Sequence, residues 1–339
     1  MSNELPPNSV TAPTGDDIAI DQTLRPQAWD EYIGQGKVKE HLRVMIEAAK
    51  MRKESMDHVL FSGPPGLGKT TLAYLVGREM GAPVKTTSGP ALEKTGDMAA
   101  ILTNLEPSEI LFIDEAHRVN RMIEEVLYPA MEARKLHLMI GKGPSARSLT
   151  LDLPPFTLIA ATTRENLLSH PLRSRFGATF RLEYYDEKDI RAILARSADI
   201  FGISIEPEAV AVLARASRAT PRIANRLLKR ARDFAAVKSK PAIDEEVARA
   251  TLSLLDIDEA GLEPHDRRLL SVIIEKFGGG PVGVGSLAAA LSEERGVIED
   301  IYEPYLMKLG FIQRTPAGRV VLPLAYEHLG RKKKGGELL

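Results

Sequence analysis

Nine residues in a row, Gly63-Pro64-Pro65-Gly66-Leu67-Gly68-Lys69-Thr70-Thr71, fit the spacing G-x-x-x-x-G-K-[ST], and the chemistry these types can do is the binding of a polyphosphate. Gly63, Gly66 and Gly68 let the backbone curl until successive N–H groups face phosphate oxygens, and a helix opening at Thr71 adds the partial positive charge of its N-terminus. Lys69 reaches the β- and γ-phosphates, and the Thr70 hydroxyl is offered to Mg²⁺. Further along, the apolar run Ile110-Leu111-Phe112-Ile113 ends in Asp114-Glu115. Alone, such a pair reads as a helix N-cap. Paired with a phosphate loop, and separated from it by room for one more strand and its helix, it reads as two working carboxylates. Asp114 then holds Mg²⁺ through water, and Glu115 orients and deprotonates the attacking water. Thr163 closes a third apolar run, Phe156 to Thr162, where a hydroxyl either holds that water or simply makes a turn. Arg173 and Arg175 lie in a glycine-terminated turn; they are either surface arginines or an arginine finger donated to a neighbouring subunit's nucleotide.

These residues need a scaffold, and the surrounding sequence supplies one. Val59-Leu60-Phe61 reads as a buried strand before the loop and Thr71 to Met80 as the helix after it. Residues 83–87 are a weak strand and 98–105 a helix, ahead of the strand that ends at Asp114. Continuous apolar runs of this kind suit parallel strands covered on both faces, with ligands at their carboxyl ends. An amphipathic helix spans 121–134. The runs 136–140 and 148–151 about Gly141-Lys142-Gly143-Pro144-Ser145 predict a β-hairpin inserted into the sheet order. Leu136, Leu138 and Ile140 share one of its faces, which needs a cover, either the body of the protein or a partner.

Past Tyr185 the pattern turns all-helical, with helices at 187–201, 206–217, 221–239 and 244–255 and with Asp186 and Asp244 as N-caps. Arg222 opens the third of them, either solvated like its neighbours or turned back toward the nucleotide. Asp256 to Gly261 is a linker by composition. Helices at 265–276, 284–291 and 296–308, then strands either side of Thr315-Pro316-Ala317-Gly318, are the parts of a winged helix-turn-helix. Arg314 and Arg319 flank the turn of that wing, where a phosphate backbone would meet it. Winged helices also bind proteins. Residues 1–22 read as a disordered tail and 331–339 as a basic flexible one.

The chain has 339 residues, 44% hydrophobic and 27% charged, a formal net charge of −1 and no cysteine. That length predicts two or three domains, and the charge leaves any nucleic-acid contact to local patches. Residues 257–339 carry 11 Lys/Arg against 12 Asp/Glu, so the winged helix is not basic in bulk. Without cysteine there are no disulfides, thiolate metal sites or cysteine nucleophiles, which fits a reducing compartment. The seven histidines show no metal-ligand spacing, which argues against a structural zinc. No apolar run reaches the length of a membrane span and no signal pattern opens the chain, so a cytoplasmic location is expected.

The ordered set GPPGLGKTT, ILFIDEAH, AATT, SRFG and TPR resembles the AAA+ ATPases. KTTSGPALEKTGD, LEPSEILFIDEAHR, EEVLYPAME, TPRIANRL, FGGGPVG and EPYLMKLGFIQRTPAGR narrow that resemblance, over roughly residues 20–330, to the RuvB family, the bacterial motors of Holliday-junction branch migration. The fold it implies is an α/β P-loop AAA+ ATPase domain at 23–185, a parallel sheet with helices on both faces. A small helical lid at 186–256 and a winged-helix, DNA-binding head at 257–330 follow. ATP/ADP and Mg²⁺ are the implied cofactors. The resemblance places Lys69 and Thr70 on phosphate and Mg²⁺, and Asp114 and Glu115 as the metal and water carboxylates. It makes Thr163 sensor 1, Arg175 the trans-acting finger and Arg222 sensor 2. Leu24, Arg25 and Tyr185 match nucleotide-pocket positions, and Arg295, Arg314 and Arg319 match DNA-contacting ones. Sensor 1 is threonine here where many AAA+ proteins have asparagine. The hairpin at 136–150 matches the segment that meets RuvA, which favours a partner as its cover. Duplex DNA at Holliday junctions, RuvC and a homohexamer complete the implied assembly. The rival is an AAA+ protein remodeller whose winged helix only docks proteins; no pore-type aromatic-hydrophobic-glycine loop stands between Lys94 and Glu106 to support it.

Overall fold

In the computed structural model the described residues are 22–140 and 147–332. The expected tails, but for residues 22, 331 and 332, and the turn of the predicted hairpin at 141–146 lie outside them. The chain divides into two compact units, Arg25–Tyr185 and a second running from Asp186 onward with Leu24 joined to it.

The first unit is built on five parallel strands, side by side in the order Val84–Ser88, Ile110–Asp114, Thr157–Thr162, Val59–Ser62 and Ala178–Arg181. After α1 (Gly36–Arg52) come β1 (Val59–Ser62), α2 (Lys69–Met80), β2 (Val84–Ser88), α3 (Thr95–Thr103), β3 (Ile110–Asp114) and α4 (Arg121–Ala133). The hairpin β4 (Lys135–Ile140) and β5 (Arg147–Asp152) follows, then β6 (Thr157–Thr162), α5 (His170–Arg173) and β7 (Ala178–Arg181). The apolar runs of β1, β3 and β6 exist because both faces are covered. Leu60, Leu111, Ile113, Leu158 and Ala160 join Met98, Leu102, Ile123 and Leu127 of α3 and α4 in one core. The alternating Phe61, Phe112 and Ile159 are fully buried too. Each buried Leu, Ile, Met or Phe among them contributes about 1.5–3 kcal/mol relative to exposure.

Two expectations change. The strand β7 has no counterpart in the sequence reading: it is four residues long, only Phe180 of it is buried, and it pairs on one side only, with β1. The hairpin is inserted between β3 and β6 in sequence but forms its own two-stranded sheet, leaving β3 and β6 as direct neighbours. Its register sets Leu136 opposite Leu151 and Leu138 opposite Leu149. Leu136 is buried by the body, Leu138 and Leu151 partly so, and Leu149 is 39% exposed. The body therefore covers the base of the apolar face and not its outer half.

The second unit opens with α6 (Glu187–Phe201), β8 (Ser204–Ile205), α7 (Pro207–Ala216), α8 (Pro221–Val237), β9 (Ala242–Ile243) and α9 (Glu245–Leu254). Asp186 and Asp244 cap α6 and α9, accepting from the N–H groups of Asp189 and Val247, a contribution of about 1 kcal/mol each. The winged helix adds α10 (Pro264–Phe277), α11 (Val284–Leu291), α12 (Arg295–Val297), a π-helical turn at Ile298–Tyr302, α13 (Glu303–Lys308), β10 (Ile312–Thr315), β11 (Gly318–Val321) and α14 (Pro323–His328). The single helix predicted over 296–308 is thus broken. Pro304 has no N–H to give to the preceding turn, and the backbone widens to a π-turn ahead of it. The helix α14 lay outside the sequence reading.

His58 enters β1 as a pin across the sheet. Its Nδ1 accepts from the Leu158 N–H at 2.9 Å and its Nε2 faces the Met131 carbonyl at 3.3 Å, which fixes the neutral tautomer. Burial holds its pKa below the ordinary 6.5, outweighing the Met131 bond that favours the charged ring. The unfolded chain therefore binds this proton first. The stability from His58 is complete above about pH 6.5 and is lost as the pH falls through the depressed folded value. Trp29, the single tryptophan of the chain, is buried in this unit and reports on it alone. Thermal unfolding followed by its fluorescence should show a melting temperature falling with pH below 6.5, and His58→Asn, which keeps an acceptor for Leu158, should flatten that fall. An unchanged slope in the variant refutes the assignment.

Candidate nucleotide-binding site

The loop after β1 takes the path its glycines permit, with φ of +135° at Gly63, +79° at Gly66 and +96° at Gly68. A Cβ on Gly63 would lie 2.6 Å from the Leu182 carbonyl oxygen, so any side chain there forces the loop off the sheet. Lys69 is 7% exposed, and its Nζ donates to the carbonyls of Gly63 at 2.7 Å and Pro64 at 2.8 Å. The ammonium thus stands in the mouth of the curl. Two tyrosines clamp the loop from outside. The Tyr185 hydroxyl donates to the Leu67 carbonyl at 3.3 Å and sits 3.1 Å from the Tyr32 hydroxyl, itself 3.4 Å from the same carbonyl. Burial first, then the neighbouring Tyr185, pushes Tyr32 well above the usual phenol range and keeps it a donor. Gln35 fastens the same segment through the backbone of Glu183. Arg25 stacks on the Tyr74 ring, 4.6 Å from its centroid, beside α2.

Across the sheet edge, Thr70 Oγ1 on α2 meets Asp114 Oδ2 at the end of β3, 3.4 Å away. Thr71 follows in the first turn of α2. Asp114 Oδ1 accepts from the Glu115 N–H at 2.9 Å. Glu115 itself has φ +50°, a left-handed conformation that costs a non-glycine residue of order 1 kcal/mol or more and recurs at working sites. His117 reaches both neighbours. Its Nε2 is 3.4 Å from Glu115 Oε2, and its Nδ1 is 3.0 Å from Thr162 Oγ1, the last residue of β6. Thr162 Oγ1 also accepts from the Arg164 N–H at 3.0 Å; the His117 tautomer with its proton on Nε2 aims an N–H at Glu115 and lets Nδ1 accept from the Thr162 hydroxyl. Thr163 follows directly, half-buried, at the carboxyl end of the strand between β1 and β3. The loop, Asp114, Glu115, Thr163 and Tyr185 thus share one edge of the sheet. His117 and Thr162 were missed as site residues. His117 stood in plain view two positions past Glu115, but only the fold brings Thr162 to its other nitrogen.

Arg175 lies elsewhere. It precedes β7, where the Gly177 N–H bonds the His58 carbonyl, so it sits at the amino end of the sheet, opposite the loop. Its guanidinium pairs with Glu132 at 3.0 Å, donates to the Pro171 carbonyl at 2.6 Å and stacks on Tyr128, while its Nε is buried without a partner.

The other expected residues belong to the second unit. Leu24 is buried there, its carbonyl accepting from Arg196 at 2.9 Å, and Arg222 is exposed in the first turn of α8. Arg295 is exposed at the start of α12, against Gly285. Arg314 and Arg319 face each other across β10 and β11, as the wing predicts. Both also meet acids. Arg319 Nε reaches Glu303 Oε1 at 2.7 Å and its Nη2 reaches Glu299 Oε1 at 2.8 Å, while Arg314 bonds the other Glu303 oxygen. The Arg319 side chain is 12% exposed, that of Arg314 44% and that of Glu303 fully buried.

Three family models cover the chain. Residues 24–182 match the Holliday junction DNA helicase RuvB P-loop domain, 185–258 the RuvB AAA lid domain, and 259–330 the RuvB C-terminal winged helix domain. Among solved structures, the Thermotoga maritima RuvB Holliday junction branch migration motor is 48% identical over 92% of this chain and 99% of that chain, with a TM-score of 0.85. Two single-substitution variants of Thermotoga maritima RuvB match at 47% identity over 91% of this chain and 99% of theirs, with TM-scores of 0.85 and 0.84.

If His117 holds Glu115 in place, its removal lowers turnover without touching nucleotide binding. His117→Ala should reduce the rate of ATP hydrolysis by about 10²-fold, the usual cost of a misplaced reacting group, with nucleotide affinity unchanged in equilibrium titration. Equal turnover in the variant would remove His117 from the site.

Proposed function

Because this chain belongs to the RuvB family of Holliday junction DNA helicases, we propose that the residues gathered at the carboxyl edge of its sheet are the ATP-hydrolysing half of a site completed by a second subunit. The protein is an ATP-driven branch-migration motor that acts with RuvA on DNA at Holliday junctions. The observation that carries the site assignment is the approach of Thr70 to Asp114, with Glu115 next to them and held by His117.

The place of each residue supports a role for it. Lys69 exchanges the Gly63 and Pro64 carbonyls for phosphate oxygens as the nucleotide enters. Glu115 orients the attacking water and accepts its proton, and Thr163 fixes the same water from the neighbouring strand. Thr70 and Asp114 are hard oxygen donors of the kind Mg²⁺ takes, and among the described residues no group of three potential ligands lies together. Such a pair suits an ion held mainly by phosphates and water, where it would neutralise charge on the β- and γ-phosphates. Tyr32 and Tyr185 keep the loop closed on its ligand, with Leu24 and Arg25 contributing to the pocket and Arg222 sensing the γ-phosphate.

Arg175 cannot serve its own loop. The four residues of β1 alone span about 13 Å at the usual rise of a strand. Its place supports a finger supplied in trans within a homohexamer. The half-covered apolar face of Leu138, Leu149 and Leu151 suits docking of RuvA, and Arg295 and Arg314 suit contact with duplex DNA. RuvC as a later partner and a cytoplasmic location complete the reading; among the described residues no helix is long and apolar enough to cross a membrane.

Three measurements decide these points. On a synthetic four-way junction with RuvA and ATP, the protein should move the branch point and Glu115→Gln should not; movement by that variant ends the catalytic assignment. Arg175→Ala should lose about 10³-fold or more in turnover while binding ATP normally, and mixing it with Lys69→Ala chains should restore part of the activity at mixed interfaces. Full turnover by a verified monomer would rule out the trans finger. For DNA, Arg314→Ala should reduce the salt slope of duplex binding by about one unit, and an unchanged slope takes the wing off the phosphate backbone.

A further inference from the structure

Between α7 and α8 the chain makes the turn Ser217-Arg218-Ala219-Thr220, with φ of +54° at Arg218 and +53° at Ala219. Two successive left-handed non-glycine residues are costly, and the turn persists because of what it holds. Its arginine does not point to solvent. Arg218 Nη1 lies 2.7 Å from Asp266 Oδ2 and Nη2 3.5 Å from Oδ1, a two-pronged pair whose side chains are 4% and 0% exposed. Nη2 also donates to the Ile301 carbonyl at 3.3 Å, and the guanidinium stacks on Tyr305, 4.6 Å from the ring centroid.

All three partners belong to the winged helix: Asp266 on α10, Ile301 on the π-turn and Tyr305 on α13. Each is itself fixed. Asp266 Oδ2 accepts from the Glu263 N–H at 2.9 Å and caps α10, and the Tyr305 hydroxyl donates to the Ala260 carbonyl at 2.7 Å. The linker between the two runs of helices passes flush beneath. A Cβ on Gly261 would stand 2.5 Å from the Ala216 carbonyl oxygen. The same turn leads straight into α8, whose first turn carries Arg222.

We propose that Arg218 is a positioning residue that clasps the winged helix to the lid, so that a movement of the α8 N-terminus is carried to the DNA-binding head as a rigid displacement. The inference rests on the reading of Arg222 as a nucleotide sensor and adds to it the route by which the sensed state leaves the lid. Burial decides its strength. A fully dry bidentate pair stacked on a ring holds one geometry, whereas an exposed pair exchanges with water.

The test uses the full chain, which lacks cysteine. Spin labels at Val237→Cys on the lid and Leu324→Cys on the winged helix, 83% and 54% exposed in the parent, report the distance between them. The double variant Arg218→Met with Asp266→Asn removes the pair without stranding a buried charge and keeps an acceptor for the Glu263 cap. The expected result is one narrow distance in the parent and a broadened distribution in the variant. ATP turnover should stay within about two-fold while branch migration with RuvA slows about ten-fold, the scale of an ordinary coupling free energy. Should the double variant not fold, Tyr305→Leu removes the stack and the Ala260 bond, and a smaller broadening is expected. An equally narrow distance in the folded variants, or ATP turnover and branch migration falling in proportion, overturns the clasp. Arg222→Ala separates the two readings: if it leaves ATP turnover unchanged the sensor assignment fails, whereas the distance measurement still decides the clasp.

Discussion

The enclosure of the Lys69 ammonium at the carboxyl edge of the sheet is the constraint on which the rest depends. A cation at 7% exposure is costly to hold out of water, and the Gly63 and Pro64 carbonyls offset that cost only while the loop keeps its curl. The curl in turn needs backbone angles that glycine alone takes without strain, and it needs Leu67 pinned. Tyr32 and Tyr185 do the pinning from segments on either side of the loop in sequence, one before α1 and one after β7. The strands between them therefore serve chiefly to bring Asp114, Glu115 and Thr163 to the same edge. Packing on both faces of β1, β3 and β6 keeps that edge from shifting.

Four arginines paired with carboxylates differ in their exposure and in what else holds them. Arg218 and Asp266 are both dry, and removing one partner would leave a buried charge, a loss of about 3–5 kcal/mol in comparable cases; this pair is permanent. Arg319 is held by the fully buried Glu303 and by Glu299, with its side chain 12% exposed, whereas Arg314, on the same Glu303, is 44% exposed. Arg175 meets Glu132, whose side chain is 58% exposed. A bond to so wet a carboxylate is worth about 0–1 kcal/mol, and the Pro171 carbonyl and the Tyr128 ring hold the guanidinium beside it. These arrangements differ both in how wet the carboxylate is and in what else each guanidinium meets.

Most of the fold was legible because its signals were local. The phosphate loop, the apolar runs and the caps at Asp186 and Asp244 are written in adjacent residues, and they placed β1, β3, β6 and the four helices from Glu187 to Leu254. The misses are non-local. The strand β7 has a single buried side chain, and its identity comes from pairing with β1 rather than from any run of its own. Pro304 gave fair warning of a break, but the π-turn it follows depends on how Tyr302 and Glu303 pack. His117 needed Thr162, forty-five positions away, before it had a role. Arg218 resembled any other arginine of a basic stretch until Asp266 and Tyr305 stood around it.

The polarity of the parallel sheet then bears on assembly. Every strand of the sheet points its carboxyl end at the nucleotide edge, and β7 begins at the opposite edge, next to Arg175. On the proposed trans role of that arginine, the two halves of one site occupy opposite edges of each protomer. A single two-fold contact brings identical patches together, so it does not match an amino edge to a carboxyl edge on both sides. Head-to-tail contacts do, and repeated with a constant rotation they close into a ring. On that proposed role, the common direction of the five strands calls for the ring-forming kind of contact.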